Sequence, residues 1–156
     1  ALENDLGGEH YSDPDLTCRE HAGRVEAYEL ERLREMMFDM IRQPDDFTQW
    51  FGRFVTTPRH ELDIAPAEPP YQPEEVRDAL LDGETLLRLD GLRVLNVSDN
   101  VFINSEPLAP VDLRAADALC RYTRLGQQEF GDALDNPAFV AQLTDLINQG
   151  YWFFDE

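Results

Sequence analysis

The 156-residue sequence contains no lysine: its 13 basic residues are all arginines, they face 32 acidic residues, and the formal net charge is -19. Phosphate affinity comes from clustered positive charge, so direct binding to DNA or RNA is not expected. The partner that an acidic surface attracts is a cationic one. Cysteine is scarce as well. Cys18 and Cys120 stand far apart, form no C-x-x-C pair and supply no disulfide framework, which points to reduced thiols in a cytoplasmic protein. No apolar run approaches the roughly 18 residues of a membrane-spanning helix. Disorder is excluded by what is present: a hydrophobic content of 42% and nine Phe. The opening Ala1-Leu2-Glu3-Asn4 has no initiating Met and no basic-then-apolar leader, so the sequence reads as beginning partway through a longer protein.

Catalytic constellations are missing too. None of His10, His21 and His60 lies in H-x-D, H-E-x-x-H or H-x-H. His60-Glu61-Leu62-Asp63 gathers three possible ligands, but in a Pro-flanked loop where a surface His–carboxylate pair is the plainer reading. There is no P-loop, no G-x-G-x-x-G and no G-x-S-x-G elbow, and Ser12, Ser98 and Ser105 lack a neighbouring base. Cys18 has Arg19 and His21 nearby, which lower a thiol pKa when they converge on it, yet a bystander thiol is the simpler reading. No catalytic, metal-ligating or cofactor-binding residue is therefore assigned to this chain, which is read as carrying no enzymatic activity of its own.

The periodicity that is present divides the chain into three. Residues 1–57 read as a helical region after an irregular start over 1–25. Leu30, Leu33, Met37 and Met40/Ile41 recur at helical spacing over 26–42. Gln43-Pro44 closes that helix and opens another, with Asp45 and Asp46 in its first turn. The second helix, Pro44 to Thr56, carries Phe47, Trp50, Phe51, Phe54 and Val55 on one broad stripe. Two helices joined this tightly suggest an antiparallel hairpin. Two helices alone leave such a stripe wet, so it packs on the rest of the chain, forms a subunit or interdomain interface, or lines a pocket. Residues 58–73 are a proline-rich extended connector with Pro58, Pro66, Pro69, Pro70 and Pro73. Residues 74–156 form a small α+β domain. A helix opens at Pro73 and ends at Asp82-Gly83, and Thr85–Leu89 and Leu92–Val97 are predicted to pair as a hairpin about Asp90-Gly91. Val101–Asn104 is a third strand, and helices follow over Leu113–Tyr122 and Pro137–Asn148. Leu113, Ala116, Leu119 and Cys120 are expected on the inner face of the first of these. Tyr151-Trp152-Phe153-Phe154 is a terminal strand in need of burial. This order suits a winged-helix-like unit, but the last helix has no Lys or Arg with which to read DNA.

Several segments resemble a known family. They are Leu6-Gly7-Gly8-Glu9-His10-Tyr11-Ser12-Asp13-Pro14-Asp15, Leu33-Arg34-Glu35-Met36-Met37 and Gln49-Trp50-Phe51-Gly52. The most specific are Arg59-His60-Glu61-Leu62-Asp63-Ile64-Ala65-Pro66 with Pro69-Pro70-Tyr71-Gln72-Pro73, and the ending Gly150-Tyr151-Trp152-Phe153-Phe154. Together they resemble the C-terminal part of the bacterial JmjC-type, cupin-like ribosomal oxygenases that hydroxylate an arginine of a large-subunit ribosomal protein. The resemblance implies a fold: a dimerisation-type helical hairpin followed by a winged-helix-like domain. It also implies Fe(II) and 2-oxoglutarate for the full-length enzymes, held by an H-x-D pair and a distal His that match no residue here. The partners implied are a second copy through the helical region and a basic ribosomal-protein substrate of the full-length enzyme. Candidate interface residues are Leu30, Leu33, Met37, Phe47, Trp50, Phe51 and Phe54. The chain's acidity would then recruit the substrate electrostatically. The alternative is an acidic interaction module or nucleic-acid mimic unrelated to an oxygenase.

Overall fold

The computed structural model describes residues 25–155, so His10, Cys18, His21 and the irregular start lie outside the described residues. Its residues divide into two compact units, one ending at Phe51 and the other beginning at Gly52. In the first, α1 spans Ala27–Arg42. Glu26 closes a capping box there, its backbone N–H donating to Glu29 at 2.8 Å. Gln43 is extended and ends the helix, and α2 begins at Pro44 and runs to Thr56 across the division between the units.

The second unit holds α3 (Pro73–Leu81), β1 (Leu86–Arg88), β2 (Val94–Val97), β3 (Asn100–Ile103), β4 (Glu106–Leu108), α4 (Leu113–Arg121), β5 (Arg124–Leu125), α5 (Gln127–Phe130), a 3-10 turn over Gly131–Asp135, α6 (Pro137–Asn148) and β6 (Trp152–Phe154). Punctuation residues explain most boundaries. Pro73 and Pro137 stand in the first turns of their helices, and Asp112 and Asn136 cap α4 and α6 through their side chains. Gly150 has φ +81, and the Gly150 and Tyr151 N–H groups donate to Ile147 and Leu146 at 2.8 and 3.1 Å. That is a Schellman closure, which requires a left-handed residue where only glycine is unstrained.

The strands form two antiparallel three-stranded sheets, β5-β1-β6 and β2-β3-β4. This corrects the hairpin expected about Asp90-Gly91. β1 pairs with β5 and β6, and β2 pairs with β3. Leu92 N–H donates to the Leu89 carbonyl, and of the two central residues only Gly91 has positive φ. A two-residue hairpin of the favoured type needs positive φ at both, so this turn passes the chain from one sheet to the other. The true two-residue hairpins turn at Ser98-Asp99 and Asn104-Ser105, all four with positive φ and none a glycine. β4, unexpected because it contains Pro107, is an edge strand, where a missing N–H is tolerated.

The core of this unit lies among α3, α4 and α6 and draws on both sheets, with Leu86, Leu125 and Trp152 from one and Val101 and Ile103 from the other. Val76, Leu80, Leu86, Leu125, Leu143 and Trp152 are fully buried, and Phe130 tilts against Phe139 with centroids 5.4 Å apart. All five inward residues expected on α6 are buried. On α4 the buried set is Ala115, Ala116, Ala118 and Leu119, while Leu113, at the helix start, is exposed. The connector is no free linker. Asn148 grips the Tyr71 backbone from both sides, its Oδ1 accepting from Tyr71 N–H at 2.8 Å and its Nδ2 donating to the Tyr71 carbonyl at 3.0 Å. Ala67 N–H donates to the Asn148 carbonyl at 3.1 Å. A Cβ on Gly150 would strike the Ala65 backbone, so glycine there also lets the connector lie close.

Candidate functional site

The interface residues expected from the sequence fall on α1 and α2. No residue of α1 is buried. Leu30, Leu33 and Met37 are 62%, 53% and 52% exposed, an unusual state for three large apolar side chains on one stripe. With Phe38 and Ile41 they line an apolar groove of about 460 Å³. Arg34 closes one side, its guanidinium 5.4 Å from the centre of the Phe38 ring. The charges of α1 are spent on neighbours one turn away, Arg34–Glu31 at 3.4 Å and Arg42–Asp39 at 3.5 Å. Exposed pairs of this kind contribute little to stability and leave the stripe itself uncharged.

On α2, Phe47 touches both Trp50 and Phe51, with ring centroids 5.7 and 6.2 Å apart. Phe47 and Phe51 are each more than a third exposed, Trp50 is half-buried, and Phe54 is 64% exposed. The aromatic stripe is thus not the buried face of α2. The buried residues are Gly52 and Thr56, which periodicity of large side chains cannot flag. Gly52 lies flat against the Phe102 ring, where any Cβ would collide. Thr56 Oγ1 donates to the Gly52 carbonyl at 2.7 Å and accepts from Ser105 N–H at 3.0 Å. Arg93 donates to the Val55 carbonyl at 2.9 Å, so the last turn of α2 is fastened to the β2-β3-β4 sheet by small and polar groups.

Among the described residues no three His, Cys, Asp or Glu side chains converge as a metal site, and His60, Glu61 and Asp63 do not assemble one. Cys120 is no activated nucleophile. Burial, reinforced by the Asp117 carboxylate, pushes its thiol up to about 11 against the opposing pull of Arg88. Among the described residues no helix is long and apolar enough to cross a membrane. α6, the last helix, has six of its residues buried and no cation.

Two small antiparallel three-stranded sheets packed with helices around one core define a winged-helix-type α+β protein. The family model of the ROXA-like winged helix matches residues 35–153. The chain belongs to that family. It is 52% identical over 155 residues to the ribosomal protein uL16 3-hydroxylase of Escherichia coli, which covers 99% of this chain and 42% of that protein. The part matched is the C-terminal part of the relative. Solved structures agree. That of YcfD, a ribosomal oxygenase from Escherichia coli in complex with cobalt and 2-oxoglutarate, superposes with a TM-score of 0.76 at 52% identity, covering 99% of this chain and 43% of that one. A second X-ray structure of E. coli YcfD gives 0.75, covering 99% and 41%.

Proposed function

We propose that this chain is the non-catalytic C-terminal part of a 2-oxoglutarate- and Fe(II)-dependent ribosomal-protein arginine hydroxylase acting in the cytoplasm. The observation that carries the reading is the 52% identity running through 99% of this chain, against less than half of the relative's length. The activity, the iron and the 2-oxoglutarate would belong to the rest of such a protein, since no H-x-D pair stands in this sequence.

Two tasks fit the chain. The first is dimerisation. The α1 face of Leu30, Leu33 and Met37 and the α2 stripe of Phe47, Trp50, Phe51 and Phe54 are the surfaces proposed for it. A second copy is the natural occupant because each copy brings the same uncharged stripe, which a two-fold axis can set against itself. The second task is recruitment, for which the net charge of -19 suits a basic ribosomal protein. The matched family and the match to a uL16 hydroxylase favour this reading over an unrelated nucleic-acid mimic. The test is the mass in solution by light scattering. The unaltered chain is expected to be a dimer, and Leu33→Asp with Met37→Asp is expected to give a folded monomer. A monomeric unaltered chain, or a dimer unmoved by both charges, would overturn the dimerisation reading.

A further inference from the structure

The sequence contains two Asp-Gly steps, Asp82-Gly83 and Asp90-Gly91, each preceded by a leucine. All four residues are exposed, and both glycines have positive φ, +99 and +78. Glycine carries no side chain to shield its main-chain nitrogen, so neighbouring chemistry does not separate the two steps. What separates them is where the hydrogen on that nitrogen goes. Gly83 N–H donates to the Leu80 carbonyl at 3.2 Å and Glu84 N–H to the Ala79 carbonyl at 3.0 Å, which together close α3. Gly91 N–H donates to no main-chain carbonyl among the described residues. Its acceptor is the carboxylate of its own neighbour, Asp90 Oδ1, at 3.0 Å. The turn around it is held by the Leu92 N–H on the Leu89 carbonyl, at 3.1 Å.

We infer that Asp90-Gly91 is a site of spontaneous covalent modification, at which aspartate converts to isoaspartate. The Gly91 nitrogen attacks Cγ of Asp90. A new N–C bond forms, and the amide hydrogen leaves with a carboxyl oxygen as water, giving a cyclic imide. Water then opens either C–N bond of the imide. One opening returns aspartate, and the other carries the main chain through Cγ. No oxidant, reductant or enzyme is needed. The fold selects between the two steps because an imide nitrogen bears no hydrogen. At Gly83 the reaction forfeits a main-chain bond that closes a helix, whereas at Gly91 it consumes only the carboxylate that was already the acceptor. The nitrogen and the carboxyl group that must react are also already side by side, which shortens the way to the reactive geometry. The product lengthens the main chain by one carbon where it passes from one sheet to the other. Leu89 N–H is tied to the Tyr151 carbonyl at 3.0 Å and Leu92 is buried, so neither flank slides to absorb it.

The test holds the full 156-residue chain folded for several weeks at physiological temperature in water enriched in heavy oxygen, beside a second sample unfolded in guanidinium chloride. Digestion and electron-transfer mass spectrometry then locate isoaspartate and the heavy oxygen that each opening of the imide leaves behind. The unfolded chain supplies the intrinsic rate of each step. Relative to those rates, Asp90 in the folded chain is expected to react about five- to tenfold faster than Asp82, the rate equivalent of one main-chain hydrogen bond. Asp90→Glu should abolish the signal at that step and leave the one at Asp82 unchanged. Asp82 keeping pace with Asp90 in the folded chain would overturn the inference. So would an Asp90 that takes up no heavy oxygen while the unfolded chain does, or a signal that survives in Asp90→Glu.

Discussion

The two units of this molecule use the same amphipathic pattern with opposite results. In the second unit the stripe Phe139, Val140, Leu143, Leu146 and Ile147 of α6 is buried to within 4% exposure. In the first, Leu30, Leu33 and Met37 of α1 recur at similar spacing and stay more than half exposed. A stripe marks a surface that must be covered, but says nothing of whether the cover lies in the same chain. Covered stripes give stability. An uncovered one gives a docking surface at a standing cost in exposed apolar area.

The sharpest way to break this comparison is to truncate one residue in each unit. Phe139→Ala removes a ring packed against Phe130 and should cost about 3–5 kcal/mol, read as a large fall in the denaturation midpoint. A loss under about 1 kcal/mol would mean that the α6 stripe is not the core of the unit.

Next in size is the glycine that sequence periodicity passes over. Gly52→Ala would drive a methyl group into the Phe102 ring and should destabilise by about 1–3 kcal/mol in thermal unfolding. A helix-interior Gly→Ala is ordinarily stabilising by about 1 kcal/mol, so the sign of the change alone decides whether this close approach exists.

Trp50→Ala then asks which kind of stripe α2 carries. If it covers a second copy, the mass in light scattering should move toward monomer while the second unit keeps its near-ultraviolet spectrum. A midpoint lowered equally at every protein concentration, with the mass unaltered, would instead make Trp50 internal core.

The smallest effect concerns Cys120. Its thiol is pushed up to about 11, so in the folded chain it holds its proton where the unfolded chain has already released it. Stability from this group is complete below the unfolded value, about 8.5, and declines as pH rises from there through 11. Alkylation followed residue by residue in mass spectrometry should show Cys120 reacting slowly at pH 8, with its rate still rising near pH 11. Fast reaction at pH 8 would contradict its burial.

The sequence by itself determined the helices, and the reason is local. Pro73 and Pro137 can only open a helix, Gly83 and Gly150 supply the left-handed closure, and Gln43-Pro44 leaves the chain no continuous path between α1 and α2. It also determined what the surface repels and attracts, because 13 arginines cannot balance 32 carboxylates in any fold. Strand pairing was beyond it. Asp90-Gly91 carries a hairpin signature, yet the backbone turns there with one positive φ, while Ser98-Asp99 and Asn104-Ser105 make the hairpins without glycine, held in that conformation by the pairing on either side. Packing of absent side chains was beyond it as well, since Gly52 and Thr56 matter through closeness and one hydroxyl, neither of which has a period. Only the tertiary structure could bring Asp63, Glu68 and Tyr71 against Trp152 and Phe154. Those residues are some eighty positions apart, and the connector is held there by a pair of hydrogen bonds between the Asn148 side chain and the Tyr71 backbone, which no sequence pattern singles out.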